Sequence, residues 1–463
     1  MLAIIHGWSD YSKSFHRLAK RLAQENPDTP IAHIRMGDYV SMDDRVTFDD
    51  LAQALESAWR DTSNGLSTQP RSTDLIVHST GALVVRDWMT QFYTPDTNPI
   101  HRLVMLAGAN FGSHLAHKGR SFAGRVLKGF NKKNTDLIKS GPHFQSGEII
   151  LDGLEIASTY SHDLALRDRF VDDPWYGPGR VLCTSIVGST GYTNIAAAAN
   201  EPGSDGTVRV STANLNPVHI TLDFETNPRE PTLTLEEPNG TTAFARINRE
   251  NHSTVALKKS GPRDAHTLEV IKKALRVTDA EFDGFTAELE AENNARREAG
   301  SNNTNTQPYQ NTVVRLRDQY GTPVDDYFLE LFAKKQIQED IPDEDLKVDA
   351  TNTRYLQEKV VSNVHAYRAD PSSRSFMINT QRLFNKFGAE QNRPLYIALT
   401  AMPDIDETGT VGYRTIEYHD IGSVRVDPDN LAAIFAPDRT AFVSIRIRRE
   451  QNPRLFAFSE MPT

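Results

Sequence analysis

The chain has 463 residues, 38% of them hydrophobic and 24% charged, with a formal net charge of −10 at pH 7. That length exceeds one ordinary core, so two domains are expected, and the acidic balance argues against a nucleic-acid partner, whose phosphates require a basic face. No stretch reaches the roughly 18 consecutive apolar residues of a membrane-spanning helix, and Cys183 is the only cysteine, which excludes an intrachain disulfide.

Met1-Leu2-Ala3-Ile4-Ile5 reads as a core strand and lacks the basic segment and cleavage site of a secretory leader. A cytoplasmic location is therefore the default expectation, with a trimmed leader or leaderless export left open. Lys13 to Gln24 has helical spacing of Phe15, Leu18 and Leu22, and Ile31 to Arg35 reads as a strand. Phe48 to Trp59 follows as a helix, with Leu51, Leu55 and Trp59 at i, i+4, i+8. Asp74 to His78, Gly81 to Phe92 and Leu103 to Leu106 continue as strand, helix and strand. This alternation predicts a mostly parallel sheet flanked by helices, an α/β class.

Residues 112–177 break the rhythm and are expected to form a helical insertion over the sheet. Arg180 to Val187 resumes the core. Residues 216–247 look like an antiparallel excursion, with Asn239-Gly240 marking a hairpin turn between Leu233–Glu237 and Thr242–Ile247. A helix over Arg263 to Leu275 closes a first domain at about 277. Residues 278–308 read as a helical and flexible linker: a charged helical stretch (Glu281, Asp283, Glu288, Glu290, Glu292) runs into Gly300-Ser301-Asn302-Asn303-Thr304, which has a linker composition. From 309 to 463 short strands predominate, at Tyr327–Leu331, Leu395–Ala401, Ser423–Val426 and Ala441–Ile447, which predicts a β-sandwich-like accessory domain.

The stretch Leu75-Ile76-Val77-His78-Ser79-Thr80-Gly81-Ala82 runs a buried strand into a serine, a glycine and an apolar helix. This is the arrangement of a nucleophile elbow, which lifts a hydroxyl clear of the sheet and sets a helix N-terminus beneath the charge that forms. The plainer alternative is that Ser79 only caps the helix. Ile4-Ile5-His6-Gly7-Trp8 supplies a second element: acyl transfer needs two N–H donors for an oxyanion, here Thr80 after the nucleophile and Trp8 by its position after the early strand.

These two segments, with Leu106-Ala107-Gly108-Ala109-Asn110-Phe111-Gly112-Ser113, resemble the α/β-hydrolase superfamily, its lipase and esterase branch in particular, over residues 1–277. Val77 departs from the small residue usual two places before the serine. In this fold the acid and then the base follow the nucleophile in the chain. Asp205, in Gly203-Ser204-Asp205-Gly206-Thr207-Val208, resembles the acid loop of many lipases. His252, in a polar loop between the last strand and the closing helix, lies where the family carries its histidine. His266 is second choice, His219 lies inside a strand pattern, and His78 is expected to pack or hydrogen-bond beside the site.

The resemblance implies a serine carboxylester hydrolase acting on lipid-like acyl esters, with a Ser79–Asp205–His252 triad and no cofactor. No zinc motif is present, and the acidic runs near 339–345 and 404–407 read as solvated loops, not calcium sites. Phe122, Val126, Leu127 and Phe130 offer an apolar face for a lid that moves or a cap that stays packed. Contact with a lipid surface through that lid or the C-terminal domain is left open. Two further readings stay open: an acyltransferase using the same triad, and a phospholipase-type effector whose C-terminal domain binds a partner or membrane.

Overall fold

The computed structural model describes residues 1–5, 15–25, 30–34, 44–61, 65–116, 147–258, 260–300, 303, 306–335, 346–402 and 415–449. It divides into two units. The first comprises Met1–Pro217, Glu237–Asn311 and Pro437–Thr440; the second comprises Val218–Glu236, Thr312–Ala436 and Ala441–Thr463.

In the first unit β1 (Leu2–Ile5), α1 (His16–Glu25), β2 (Ile31–Ile34), α2 (Phe48–Arg60), β3 (Thr73–His78), α3 (Gly81–Phe92) and β4 (Ile100–Leu106) alternate as expected. The short helices α4 (Glu148–Gly153) and α5 (Thr159–Asp168) lie in the insertion, and β5 (Leu182–Gly188) then returns to the sheet. The sheet runs β2-β1-β3-β4-β5-β8, every neighbouring pair parallel, with β8 spanning Ala243–Ile247. Local sequence fixes the helices. Thr47 and Asp50 close a capping box on α2, whose Leu51, Leu55 and Trp59 are buried. Each fully buried side chain of this size contributes about 1.5–3 kcal/mol before cavity effects. The apolar lid positions Phe122, Val126, Leu127 and Phe130 lie outside the described residues.

Two expectations for this region are corrected. Asn239-Gly240 does not turn a hairpin between 233–237 and 242–247. Arg169 donates to the carbonyls of Asn239 (2.7 Å) and Gly240 (3.2 Å), and β8 beyond them pairs parallel with β5. The antiparallel pair is instead β6 (Val218–Phe224) with β7 (Thr232–Glu236), and both strands belong to the second unit. The charged stretch within 278–308 is helical as expected, but it packs on the first unit and is not a linker. After α6 (Val210–Ala213) and α7 (Ala265–Ala274), α8 spans Asp279–Ala299 and buries Phe282, Phe285 and Leu289. The Asn293 side chain donates to the Phe244 carbonyl and accepts from Arg246 N–H, both at 2.8 Å, covering the open edge of β8. The acidic residues of α8 face outward, and an i, i+3, i+7 apolar face packs inward.

The second unit holds a three-stranded sheet, β10-β13-β14, and a six-stranded one, β11-β12-β9-β15-β6-β7. Their ranges are β9 Tyr309–Asp318, β10 Tyr327–Phe332, β11 Val361–Ala366, β12 Ser373–Asn379, β13 Leu395–Ala401, β14 Val424–Val426 and β15 Thr440–Ile447. Ile220 and Leu222 of β6, Val443 and Ile445 of β15, and Leu395, Ile397 and Leu399 of β13 share one apolar core, so side chains of both sheets interdigitate as in a sandwich. Short helices accompany the strands, among them α9 (Ala350–Tyr355) and α10 (Thr380–Phe387); Asn379 caps the latter by accepting from Arg382 N–H. Among the described residues of the chain, no helix is long and apolar enough to cross a membrane.

Candidate active site

β3 lies in the middle of the parallel sheet between β1 and β4, and Ser79 follows its last residue. Ser79 has φ +56°, a left-handed backbone that a non-glycine residue adopts only where its surroundings impose it. Three hydrogen bonds do so. Its N–H donates to the Leu106 carbonyl (3.2 Å), and its own carbonyl accepts from Ala82 and Ala109 N–H, both at 3.1 Å. The neighbouring turn comes close enough that a Cβ on Gly108 would stand 2.9 Å from Ala82 Cβ, so only glycine fits there. Val77 is accommodated as a fully buried sheet residue.

The three residues anticipated from chain order come together. His252 Nε2 lies 3.1 Å from Ser79 Oγ, and His252 Nδ1 lies 2.9 Å from Asp205 Oδ2. A carboxylate only accepts, so Nδ1 carries the imidazole proton and Nε2 is left to accept from the serine hydroxyl. Asp205 is fully buried, and its other oxygen, Oδ1, accepts from the N–H groups of Thr207 (2.9 Å) and Val208 (2.7 Å). The His252 main chain is held as well: its N–H donates to the Asp205 carbonyl at 3.1 Å, and its carbonyl accepts from His78 Nε2 at 3.1 Å. His78 also packs its ring against His252, with centroids 4.6 Å apart. Both contacts agree with the sequence reading of a histidine that packs or hydrogen-bonds beside the site; the partner, the His252 carbonyl, has no sequence signal.

Thr80 opens α3 with helical backbone angles, and its N–H has no acceptor among the described residues. Trp8, the other anticipated oxyanion donor, lies outside the described residues. The remaining histidines sit elsewhere. His266 Nε2 pairs with Glu292 at 2.8 Å, and His219 Nε2 lies 3.0 Å from Ser444 Oγ in the second unit. A small crevice of about 10 Å³ adjoins Ser79 and Thr80, walled chiefly by Ala109, Leu115, Leu151 and Leu154.

Supports that sequence reasoning missed are mostly buried charges. Arg86, on α3, grips Asp168 with two hydrogen bonds of 2.7 and 2.8 Å and the Asn110 carbonyl with a third of 2.8 Å. Burial works against its charge, but the Asp168 carboxylate holds the guanidinium above its ordinary pKa. Arg209 pairs with Glu201 at 2.8 Å and donates to Asn311 Oδ1 at 2.8 Å, bracing the loop that carries Asp205. Burial pushes the Cys183 thiol up to about 12. An arginine in a helical pattern reads as a solvated face, and only the fold shows which ones turn inward.

The parallel sheet with its strained elbow and crossing helices gives the chain the α/β-hydrolase fold. Residues 2–138 match the model of the palmitoyl protein thioesterase family. Phospholipase PlaB from Legionella pneumophila superimposes with a TM-score of 0.74 at 22% identity, over 100% of this chain and 97% of that chain. The same phospholipase in complex with thio-NAD gives a TM-score of 0.75 at 22% identity, over 99% and 96% of the two chains. No curated protein matches the chain.

Proposed function

We propose that the chain is a serine carboxylester hydrolase acting on lipid-like acyl esters. The observation that carries this reading is the unbroken relay from Ser79 through His252 to Asp205, with both links within hydrogen-bond reach. In it Ser79 Oγ attacks the acyl carbon while His252 Nε2 takes the hydroxyl proton. Asp205 holds the imidazole in the required tautomer and stabilises the imidazolium. The collapsing tetrahedral intermediate expels the alcohol, which receives the proton from His252, and water then repeats the sequence on the acyl-enzyme. The Thr80 N–H is one oxyanion donor and Trp8 is assigned as the other. No cofactor takes part.

The apolar wall beside Ser79 favours an aliphatic acyl group, and the likeness to a phospholipase and to a thioesterase family model supports a lipid acyl donor. The test is hydrolysis of p-nitrophenyl esters from acetate to palmitate, with a phospholipid and an acyl thioester alongside, comparing wild type with Ser79→Ala. Activity that vanishes in the variant supports the serine mechanism, and the best substrate divides esterase, phospholipase and thioesterase. A folded wild type inert on all of them, or an equally active variant, removes the assignment.

A further inference from the structure

The base of this site arrives on the long connection between β8 and α7, residues 248–264, and loops of such length are ordinarily the mobile parts of a fold. Glu250, two residues before His252, is fully buried there. Its Oε1 accepts three hydrogen bonds: from Arg263 N–H at 2.7 Å, Asp264 N–H at 2.8 Å and Thr267 Oγ at 2.9 Å. Its Oε2 has no partner among the described residues. The Glu250 carbonyl accepts from Thr190 N–H at 3.0 Å, and the strand end at Gly188 runs so close that a Cβ there would lie 2.2 Å from that oxygen.

Glu250 therefore ties three places at once. Its main chain fastens the loop to the segment after β5, and its side chain fastens the loop's start to its end, at the entry to α7. His252 lies inside the closed span. Immediately before it, Asn251 Oδ1 caps the turn by accepting from Ser253 (3.1 Å) and Thr254 (3.0 Å) N–H groups. A buried carboxylate is costly to desolvate, and an apolar side chain of its size would leave the converging donors unsatisfied.

We infer that Glu250 is a positioning residue that holds the His252 loop at the distance the serine requires; this rests on the reading of His252 as the base. The geometry also says which part of the side chain matters. One oxygen makes every bond, so a glutamine that presents its carbonyl oxygen there preserves the clasp without the charge.

The test measures p-nitrophenyl butyrate hydrolysis by the full chain, per active site titrated with a fluorophosphonate. Glu250→Ala is expected to lower kcat on the order of 100-fold, the scale of a misplacement near 1 Å, with KM within about twofold of wild type. Glu250→Gln is expected to recover kcat to within about threefold of wild type. Wild-type kcat per titrated site in Glu250→Ala would confine the residue to folding, and an equal loss in Glu250→Gln would make its role one of charge; either overturns the inference. Should Glu250→Ala not fold, Thr267→Val carries the test: a fall of about threefold in kcat at constant KM supports the clasp, and an unchanged kcat overturns it. Failure of the triad itself is read separately, as full activity in Ser79→Ala.

Discussion

The interiors of the two units are built from different materials. Between the sheets of the second, valine, isoleucine, leucine and phenylalanine make an apolar fill, and Asp318 and Arg449 are the buried charged side chains among its described residues. In the first, Arg86, Asp168, Arg169, Arg209, Arg246 and Asp438 are buried around the same sheet that carries Ser79. Apolar filling is the cheaper way to stabilise a core, since a buried ion pair roughly returns its desolvation cost at best. What ion pairs and hydrogen-bonded carboxylates add is direction. The unit that must hold a hydroxyl, an imidazole and a carboxylate in line accepts that cost, and the other does not.

Substitutions can break this contrast or sharpen it. The largest effect is expected from Asp205→Asn, which keeps the shape but favours the wrong imidazole tautomer: kcat should fall on the order of 10⁴-fold with the urea midpoint little moved. Arg86→Ala strands the Asp168 carboxylate in the interior and should cost about 3–5 kcal/mol in urea unfolding. Should it cost under 1 kcal/mol, the buried charges are not the organising feature claimed for them. Asn293→Ala opens the covered edge of β8 and should cost about 1–3 kcal/mol by the same measurement. In the second unit Leu399→Met, which conserves volume in an aliphatic core, should cost less than about 1.5 kcal/mol; a larger loss would show that this core is as exacting as the first.

The smallest effect concerns Cys183. Its folded pKa is pushed up to about 12 by burial, from an ordinary 9.0, so above pH 9 the native chain binds more protons than the unfolded one. The thiol's contribution is fully present below pH 9 and declines as pH rises toward 12. Cys183→Ala should flatten the alkaline limb of urea stability over that interval. In the native wild type at pH 8 the thiol should also resist iodoacetamide, measured by mass spectrometry; rapid labelling there would contradict its burial.

What the sequence disclosed was whatever is written locally. The run from Leu75 to Ala82 encodes strand, elbow and helix within a few residues, and the order of Ser79, Asp205 and His252 picked out three residues that the fold brings within hydrogen-bond reach. The strands at 327–331, 395–401 and 441–447 were legible from alternation. What stayed hidden depends on distant partners. Nothing near Val218 says that β6 will pair parallel with β15, from Ala441 to Ile447, so the chain's departure into the second unit looked like a hairpin inside the first. The helical character of α8 was legible, but its packing on the first unit was not, because its acidic surface dominates its composition while Phe282, Phe285 and Leu289 are sparse. Glu250 and Arg86 carry no motif, and their roles appear only once their donors and acceptors are assembled.

The first unit is assembled from three separated stretches, the last being Pro437–Thr440. In it Asp438 pairs with Arg246 at 2.9 Å, Asn214 donates to the Asp438 carbonyl at 2.8 Å, and Thr440 Oγ reaches the Ser211 carbonyl at 3.0 Å. Those contacts brace the segment just beyond Asp205. Because synthesis runs from the N-terminus, Pro437–Thr440 emerge from the ribosome long after the Asp205 loop whose neighbourhood they brace. The elbow and the Asp205 loop are therefore made well before the segment that secures them, so the first unit is completed only after most of the second has been translated.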